Sequence, residues 1–442
     1  MQKFRKLTLT AVLVLVHAAA SFGTSFESSA ERPDQPLRWR SKVVPIAISS
    51  SLLRPAPNVR SGTDIEAALR RSLKTWEEVS GIEFRVTYTD RQSVSAQTTG
   101  DGISLVTIAA TAENVLLFSK NALEVAATTR VYYDGRGRIT EADVVLNPYQ
   151  QFSSDGTFGS FDLESTLTHE IGHVLGLDHS PMRGSVMYDN FAKNGLFGIQ
   201  GFLHRTLSEM DRAAVRVKYG QTDAGSDCCG SIATRITYPE GKPAAGVDVW
   251  AEEAETGRVA AQGITSAEGV FEFSGLKDGD YSIYSARKER SKRSIPAQHL
   301  GNVVVGSGES GFLAKRLESG PAQAEMKLTG LNGQLTYNSI PINSGKSYTI
   351  YVGGANLSGD DVSISFSSPL LFVLPGSVTE HDYGEGLSVL SFEVAAAPDT
   401  PIGEYSIFID VPGAGRAAVV GGIAVRDFIN PYSNLVFAER NP

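Results

Sequence analysis

Between residues 43 and 220 the apolar positions switch between two periods. Val43 to Ile48 reads as a strand, and Ile82 to Tyr88, Ser104 to Ala109, Glu124 to Tyr133 and Glu141 to Leu146 add four more. Between the first two, Ile65, Leu69, Leu73 and Trp76 fall three and four apart, which predicts a helix reaching about Val79 with one apolar stripe. Thr63 and Glu66 have the spacing of a capping box at its start. A second helical run, Leu163, Leu167, Ile171, Val174 and Leu175, follows Asp162, a residue suited to cap it. A third helix starts after Ser208 and stops at Gly220. Strands and helices in this order predict an α+β domain, a twisted sheet plus three helices.

The pattern changes at Asp223 to Gly230, where the composition becomes that of a linker. Beyond it, GKPAAGVDVWAEEAETG and TSAEGVFEFSGLKDGDYSIYSARK alternate apolar and polar residues between Gly-rich turns. A second such region, with SYTIYVGGANL, VSISFSS, LSVLSFEVA and EYSIFIDVP, runs from about Gln323 to Asp427. The expected architecture is multidomain: the α+β domain over 37–220, then two β-sandwich domains over 228–318 and 323–427. A length of 442 residues suits about three domains.

The first residues change the compartment. Lys3, Arg5 and Lys6 precede an apolar run from Leu7 to Val16, and Ala18, Ala19 and Ala20 offer a small-residue cleavage site. Residues 1–20 therefore read as a secretory signal peptide, and the run is short for a membrane span. Residues 21–36 are a polar linker, expected to be disordered or trimmed. The mature protein is expected to be secreted and extracellular, or periplasmic in a Gram-negative host, with no membrane span. A net charge of −9 argues against nucleic acid and anionic membrane as partners. The two cysteines, Cys228 and Cys229, are adjacent, which excludes a disulfide framework. A vicinal disulfide, free thiols and pairing with another molecule all remain open.

The candidate chemistry is concentrated in His169 to His179, HEIGHVLGLDH. His169 and His173 are four apart, so a helix places both imidazoles on one face. They can meet one zinc ion at about 2.0–2.1 Å. Gly176 can adopt the left-handed conformation that ends a helix, and the returning chain can bring His179 in as a third nitrogen. Three ligands leave a position for water, whose pKa zinc lowers to about 7. Glu170, beside the first ligand, is placed to accept that water's proton and pass it to a leaving amine.

HExxHxxGxxH followed by a methionine turn, here Ser185-Val186-Met187-Tyr188, is the metzincin signature. The longer string, HEIGHVLGLDHS, then SVMY, then LSEMDRAAVRVKYG, resembles the matrixin branch, the relatives of the matrix metalloproteinases, over roughly residues 37 to 220. The resemblance implies a zinc endopeptidase with ligands His169, His173 and His179, general base Glu170, and Met187 as an apolar floor beneath the metal. It implies that Ala126, Ala127, Thr128, Thr129, Arg130 and Val131 form the sheet edge along which substrate pairs. It also implies that the loop from Asp189 to Arg205 shapes the pocket after the scissile bond. Relatives often bind calcium near Asp134 to Asp143. Calcium at Asp134, Glu141 and Asp143 and a solvated hairpin turn are both open there. Asp211 matches a family aspartate, and helix-start electrostatics explain it equally well.

The chain departs from these relatives in two ways. No cysteine precedes Cys228, so latency through a thiol–zinc switch is not expected. No histidine lies between His17 and His169, so one catalytic zinc is expected and a second, structural zinc is not. The β-regions resemble a carboxypeptidase regulatory-like, transthyretin-like sandwich and an immunoglobulin-like sandwich. They carry no catalytic constellation and would bind substrate or a surface. The basic run Arg287 to Arg293 is either a solvated loop or a patch for an anionic ligand. The reading is a secreted, monomeric zinc metalloendopeptidase acting on proteins or peptides. The alternative is a secreted adhesion or matrix-binding protein with a vestigial zinc site, and the intact Glu170 weighs against it.

Overall fold

The computed structural model describes residues 28–29, 32–95, 100–190, 193–195, 204–220, 229–286, 295–359, 361–384 and 386–427. The signal-peptide segment, the basic run 287–293, Cys228 and most of the 189–205 loop lie outside the described residues. Cys229 is disulfide-bonded.

The expected linker contains two short strands, β1 (Ser28–Ser29) and β2 (Arg32–Pro36), which pair antiparallel. Backbone pairing does not depend on an apolar face, so a polar stretch gave no sign of it. The elements of the following unit are β3 (Val43–Ser49), α1 (Ile65–Ser80), β4 (Glu83–Thr89), β5 (Leu105–Thr107), α2 (Ala112–Leu116), β6 (Ala127–Tyr133), β7 (Ile139–Leu146), β8 (Phe152–Ser153), β9 (Phe161–Asp162), α3 (Leu163–Val174) and α4 (Glu209–Tyr219). The main sheet has the order β4-β3-β5-β7-β6. Its first four strands are parallel, and β6 lies antiparallel at the edge. Three long helices match expectation. The five-residue α2 is too short to have shown a helical period.

The start of α1 differs from the sequence reading. Asp64, not Thr63, is the cap, and its carboxylate accepts the Ala67 N–H at 2.9 Å. Glu66 is instead held by Arg70 and Tyr88. Helix α1 buries Ile65, Ala68, Leu69, Leu73 and Trp76 in the core beneath the sheet. Trp76 also donates its indole N–H to the Thr168 carbonyl of α3 at 2.7 Å. A buried Trp whose polar end is paired locks the angle between two helices as well as filling space.

Seven strands follow: β10 (Gly230–Thr237), β11 (Asp248–Glu253), β12 (Val259–Ile264), β13 (Val270–Leu276), β14 (Gly279–Ala286), β15 (Gln298–Val305) and β16 (Ser310–Arg316). They form a three-stranded sheet, β13-β10-β16, and a four-stranded sheet, β12-β11-β14-β15, around Ile232, Ile236, Val249, Phe271, Phe273 and Ile283. The last ten are β17 (Glu325–Leu331), β18 (Gln334–Thr336), β19 (Ile340–Ile342), β20 (Ser347–Ala355), β21 (Ser363–Phe366), β22 (Leu371–Val373), β23 (Thr379–Asp382), β24 (Ser388–Ala396), β25 (Gly403–Val411) and β26 (Gly415–Val425). These make a six-stranded and a four-stranded sheet around Ile350, Val352, Phe392, Val394, Ile407 and Ile423.

The units are joined by buried polar contacts. Arg216 of α4 donates to the Gly275 carbonyl and pairs with Glu209, which Lys277 approaches at 3.5 Å. Gly275 is at φ +73°, and a Cβ there would lie 2.5 Å from the Ala213 carbonyl oxygen, so α4 and β13 can touch only through glycine. Between the β-regions, Glu252 accepts hydrogen bonds from Trp250 Nε1 at 2.7 Å and Ser406 Oγ at 2.6 Å. Burial pushes the Glu252 carboxyl up to about 7, and the Ser406 and Trp250 hydrogen bonds only partly oppose it.

A raised folded-state pKa stabilises while the group is protonated. The Glu252 contribution is therefore complete below its ordinary value of 4.5 and is lost as pH rises through about 7. Glu252→Gln keeps an acceptor and removes the charge. It is expected to add about 1–3 kcal/mol of stability at pH 8 and little at pH 4.5. Thermal melts at the two pH values check this; equal shifts at both would contradict it.

Candidate active site

Helix α3 is held at both ends. Asp162 caps it by accepting the Ser165 N–H at 2.9 Å, and Arg205 donates to the same carboxylate. Leu163, Leu167, Ile171 and Val174 are fully buried in the core, which leaves His169 and His173 on the opposite face. At the other end Gly176 has φ +77°, and its N–H donates to the His173 carbonyl at 2.7 Å. A Cβ on Gly176 would lie 2.5 Å from the Leu37 carbonyl oxygen and 2.8 Å from Lys218 Nζ. Lys218 donates to the Gly176 and Leu37 carbonyls, which ties the helix end to the N-terminal segment and α4. The chain reverses there and brings His179 back beside the helix.

The ligating atoms of His169, His173 and His179 all lie within 4.8 Å of one another. Two of the rings are pre-oriented. His169 Nδ1 donates to the Val186 carbonyl and His173 Nδ1 to the Leu177 carbonyl, each at 2.8 Å. A carbonyl can only accept, so both Nδ1 atoms carry hydrogen and both Nε2 atoms present a lone pair, the form in which an imidazole ligates a metal. Those Nε2 atoms are 3.1 Å apart. Two nitrogens at the Zn–N distance on a tetrahedral ion would be about 3.3 Å apart. Burial holds the His169 pKa well below 6.5, and His173 adds to the effect. Burial and then His179 lower His173 to about 4. Near pH 7 these two rings are neutral, the form that binds metal. The donor set fits zinc.

Glu170 is buried beside the triad. The Thr129 hydroxyl of β6 donates to Glu170 Oε2 at 2.5 Å. Among the edge-strand residues named from sequence, Ala126 and Ala127 are buried. Thr128, Thr129, Arg130 and Val131 line a 390 Å³ depression with Leu37, Leu117, Tyr133 and Asp178. Thr129 thus joins the candidate substrate edge to the candidate base. The two are 41 residues apart, and no sequence pattern links them.

Met187 lies against α3 and is 2% exposed. A Cβ on Gly172 would sit 2.2 Å from Met187 Sδ and 3.0 Å from the Trp76 ring, so this helical glycine makes the space the sulfur occupies. The turn holding Met187 is fixed by Asp211. One oxygen of Asp211 accepts the Val186 N–H at 2.8 Å, and the other accepts the Ser185 hydroxyl at 2.6 Å. Asp211 also completes a capping box with Ser208 at the start of α4. The two roles that the sequence left open are filled by one carboxylate. His204 donates from Nδ1 to the Ser185 carbonyl at 2.9 Å, a contact the sequence reading missed.

The structure does not gather Asp134, Glu141 and Asp143. Asp134 turns onto Arg138 and the N–H of Arg136 within a hairpin turn, and Arg138 holds its carboxyl down at about 2. Glu141 and Asp143 are buried on β7, two residues apart and so on one face. Asp143 accepts the Ser95 and Leu105 N–H groups at 2.9 and 3.0 Å, and Glu141 accepts that of Gly102 at 2.5 Å. Among the described residues, the histidine triad is the one group of three His, Cys, Asp or Glu side chains close enough to hold an ion. The calcium expectation is not carried further.

Asp211→Asn preserves shape but turns an amide N–H₂ toward donors. It is expected to cost roughly 2–4 kcal/mol and to increase zinc loss. Urea unfolding with metal analysis checks both effects, and an unchanged midpoint would contradict the role given to Asp211.

Residues 38–220 match the Matrixin family. A hatching enzyme from Paracentrotus lividus is 28% identical over 175 residues, which cover 37% of this chain and 24% of that protein. The chain therefore spans about a quarter of the length of that relative. Solved structures with some likeness include the minor pilin GBS52 of Streptococcus agalactiae, 19% identical with a TM-score of 0.17 over 22% of this chain and 46% of that one. The major pilin SpaD of Corynebacterium diphtheriae is 12% identical with a TM-score of 0.17 over 44% and 65%. At these scores the pilins carry no inference about this chain.

Proposed function

We propose that this chain, whose residues 38–220 are a matrixin-type metalloprotease domain, is a secreted zinc endopeptidase that hydrolyses protein substrates at the His169–His173–His179 site. The observation that carries the reading is the histidine triad, with His169 and His173 buried and pre-oriented, and a buried carboxylate, Glu170, beside it. His169, His173 and His179 would hold the zinc. When bound, zinc supplies a Lewis acid that polarises a peptide carbonyl and acidifies water. Glu170 takes the proton of the attacking water and returns it to the departing amine nitrogen.

An extended substrate pairs along β6, which has a strand neighbour on one side only among the described residues. Met187 supports the triad from below. Residues 228–318 and 323–427 are two β-sandwich domains that present substrate or a surface to the site, and the mature protein is a monomer.

Casein zymography is expected to show clearing that 1,10-phenanthroline abolishes. Folded protein that gives no chelator-sensitive clearing would favour a binding protein with a vestigial site. Glu170→Ala is expected to lower turnover by roughly 10²–10⁴-fold while one zinc per chain stays bound. Zinc loss in that variant would make Glu170 a structural residue instead.

A further inference from the structure

The turn that carries Met187 has two sides. Asp211 of α4 holds one side. The other faces the last two sheets of the chain, more than 140 residues further on. Arg183 donates from Nη2 to the Lys327 carbonyl at 2.6 Å, and the Tyr188 hydroxyl donates to the Tyr337 carbonyl at 3.4 Å. A Cβ on Gly184 would lie 2.8 Å from both Glu404 Cγ and Ser339 Oγ. A Cβ on Gly421, at φ +61°, would lie 2.5 Å from the Arg183 carbonyl oxygen.

These contacts come from a rigid surface. Glu404 and Arg426 are 0% and 3% exposed and form an ion pair, and the Ser339 hydroxyl donates to the Gly421 carbonyl. Met182 and Met210 pack with Val259 and Val420, so the apolar part of the contact also bridges the turn, α4 and both β-regions. The path from this surface to the triad is short. Two residues after Gly184, the Val186 carbonyl accepts the Nδ1–H of His169. The orientation of a metal-binding histidine is set by the partner of its other nitrogen.

We infer that Ser339, Glu404 and Gly421 are positioning residues for the metal centre: they fix the turn over 183–187, and through the Val186 carbonyl they fix the ring of His169. The C-terminal strands are then part of the structure that holds zinc. The inference rests on the zinc reading of the triad, and its test separates the two.

The test uses full-length protein with Gly421→Ala, which places a methyl group against the Arg183 carbonyl. Gly376→Ala is the control, because Gly376 is also left-handed, at φ +74°, and a Cβ there would have nothing within 4 Å. Both variants place a side chain at a left-handed φ, and only the first presses on the turn. Glu404→Gln, of equal size, is a second probe in case Gly421→Ala fails to fold.

Three measurements are made: the rate of zinc release to excess 4-(2-pyridylazo)resorcinol, the visible spectrum of the cobalt-substituted protein, and steady-state kinetics (kcat and KM) on a casein-derived peptide. Gly421→Ala or Glu404→Gln is expected to release zinc roughly tenfold faster, to shift the cobalt bands, and to lower kcat more than KM changes. Gly376→Ala is expected to match the unmodified protein. Unchanged zinc release and cobalt spectra in both turn-facing variants would overturn the inference and leave the zinc reading intact. An unmodified chain that binds neither zinc nor cobalt would overturn both.

Discussion

The metal centre depends on where the backbone of Ser185 to Met187 is held. Buried N–H groups must find acceptors, and here the Val186 N–H finds the carboxylate of Asp211. The Val186 carbonyl on the same residue then accepts from His169. One peptide segment thus connects a buried carboxylate in α4 to an imidazole of the histidine triad in α3. If the carboxylate were lost, a buried donor would lack a partner and the imidazole would lose its fixed acceptor.

The rest of the site is arranged by close contacts that only small residues permit. Gly172 opens the surface of α3 to Met187 and the Trp76 ring. Gly176 lets the helix end against the Leu37 carbonyl and Lys218, so that the chain can return with His179. Trp76 and Thr168 set the spacing between α1 and α3. The ring nitrogens converge because three helices, a turn and the N-terminal segment are locked together. The neutral state of His169 and His173 follows from the same packing, since burial disfavours the charged form.

The β-regions are continuous with this packing. Polar contacts between units are buried and paired: Arg216 of α4 donates to the Gly275 carbonyl, and Ser406 donates to Glu252. A buried polar group is costly unless it is hydrogen-bonded, so each contact holds only in one relative placement of the units. That specificity is what allows residues near the end of the chain to bear on a turn beside the histidine triad.

The local elements were legible in the sequence. The periods of α1 and α3, the cap at Asp162, the stop at Gly176 and the helix from Ser208 to Gly220 all depend on residues within a few positions of one another. The same is true of the HExxHxxGxxH spacing, because four residues on a helix fix a shared face. Tertiary structure decided whatever depends on distant residues or on competing neighbours. Asp64 displaced Thr63 as the cap because its carboxylate reaches the Ala67 N–H directly. Asp134 separated from Glu141 and Asp143 because Arg138 claimed its carboxylate and the backbone N–H groups of Ser95, Gly102 and Leu105 claimed theirs. Thr129 met Glu170, Asp211 met the methionine turn, and Glu404 and Gly421 came to face it from the far end of the chain. Spacing along a chain determines what one helix or strand presents. Which surfaces meet is settled only when the whole chain packs and every buried polar group must find its partner.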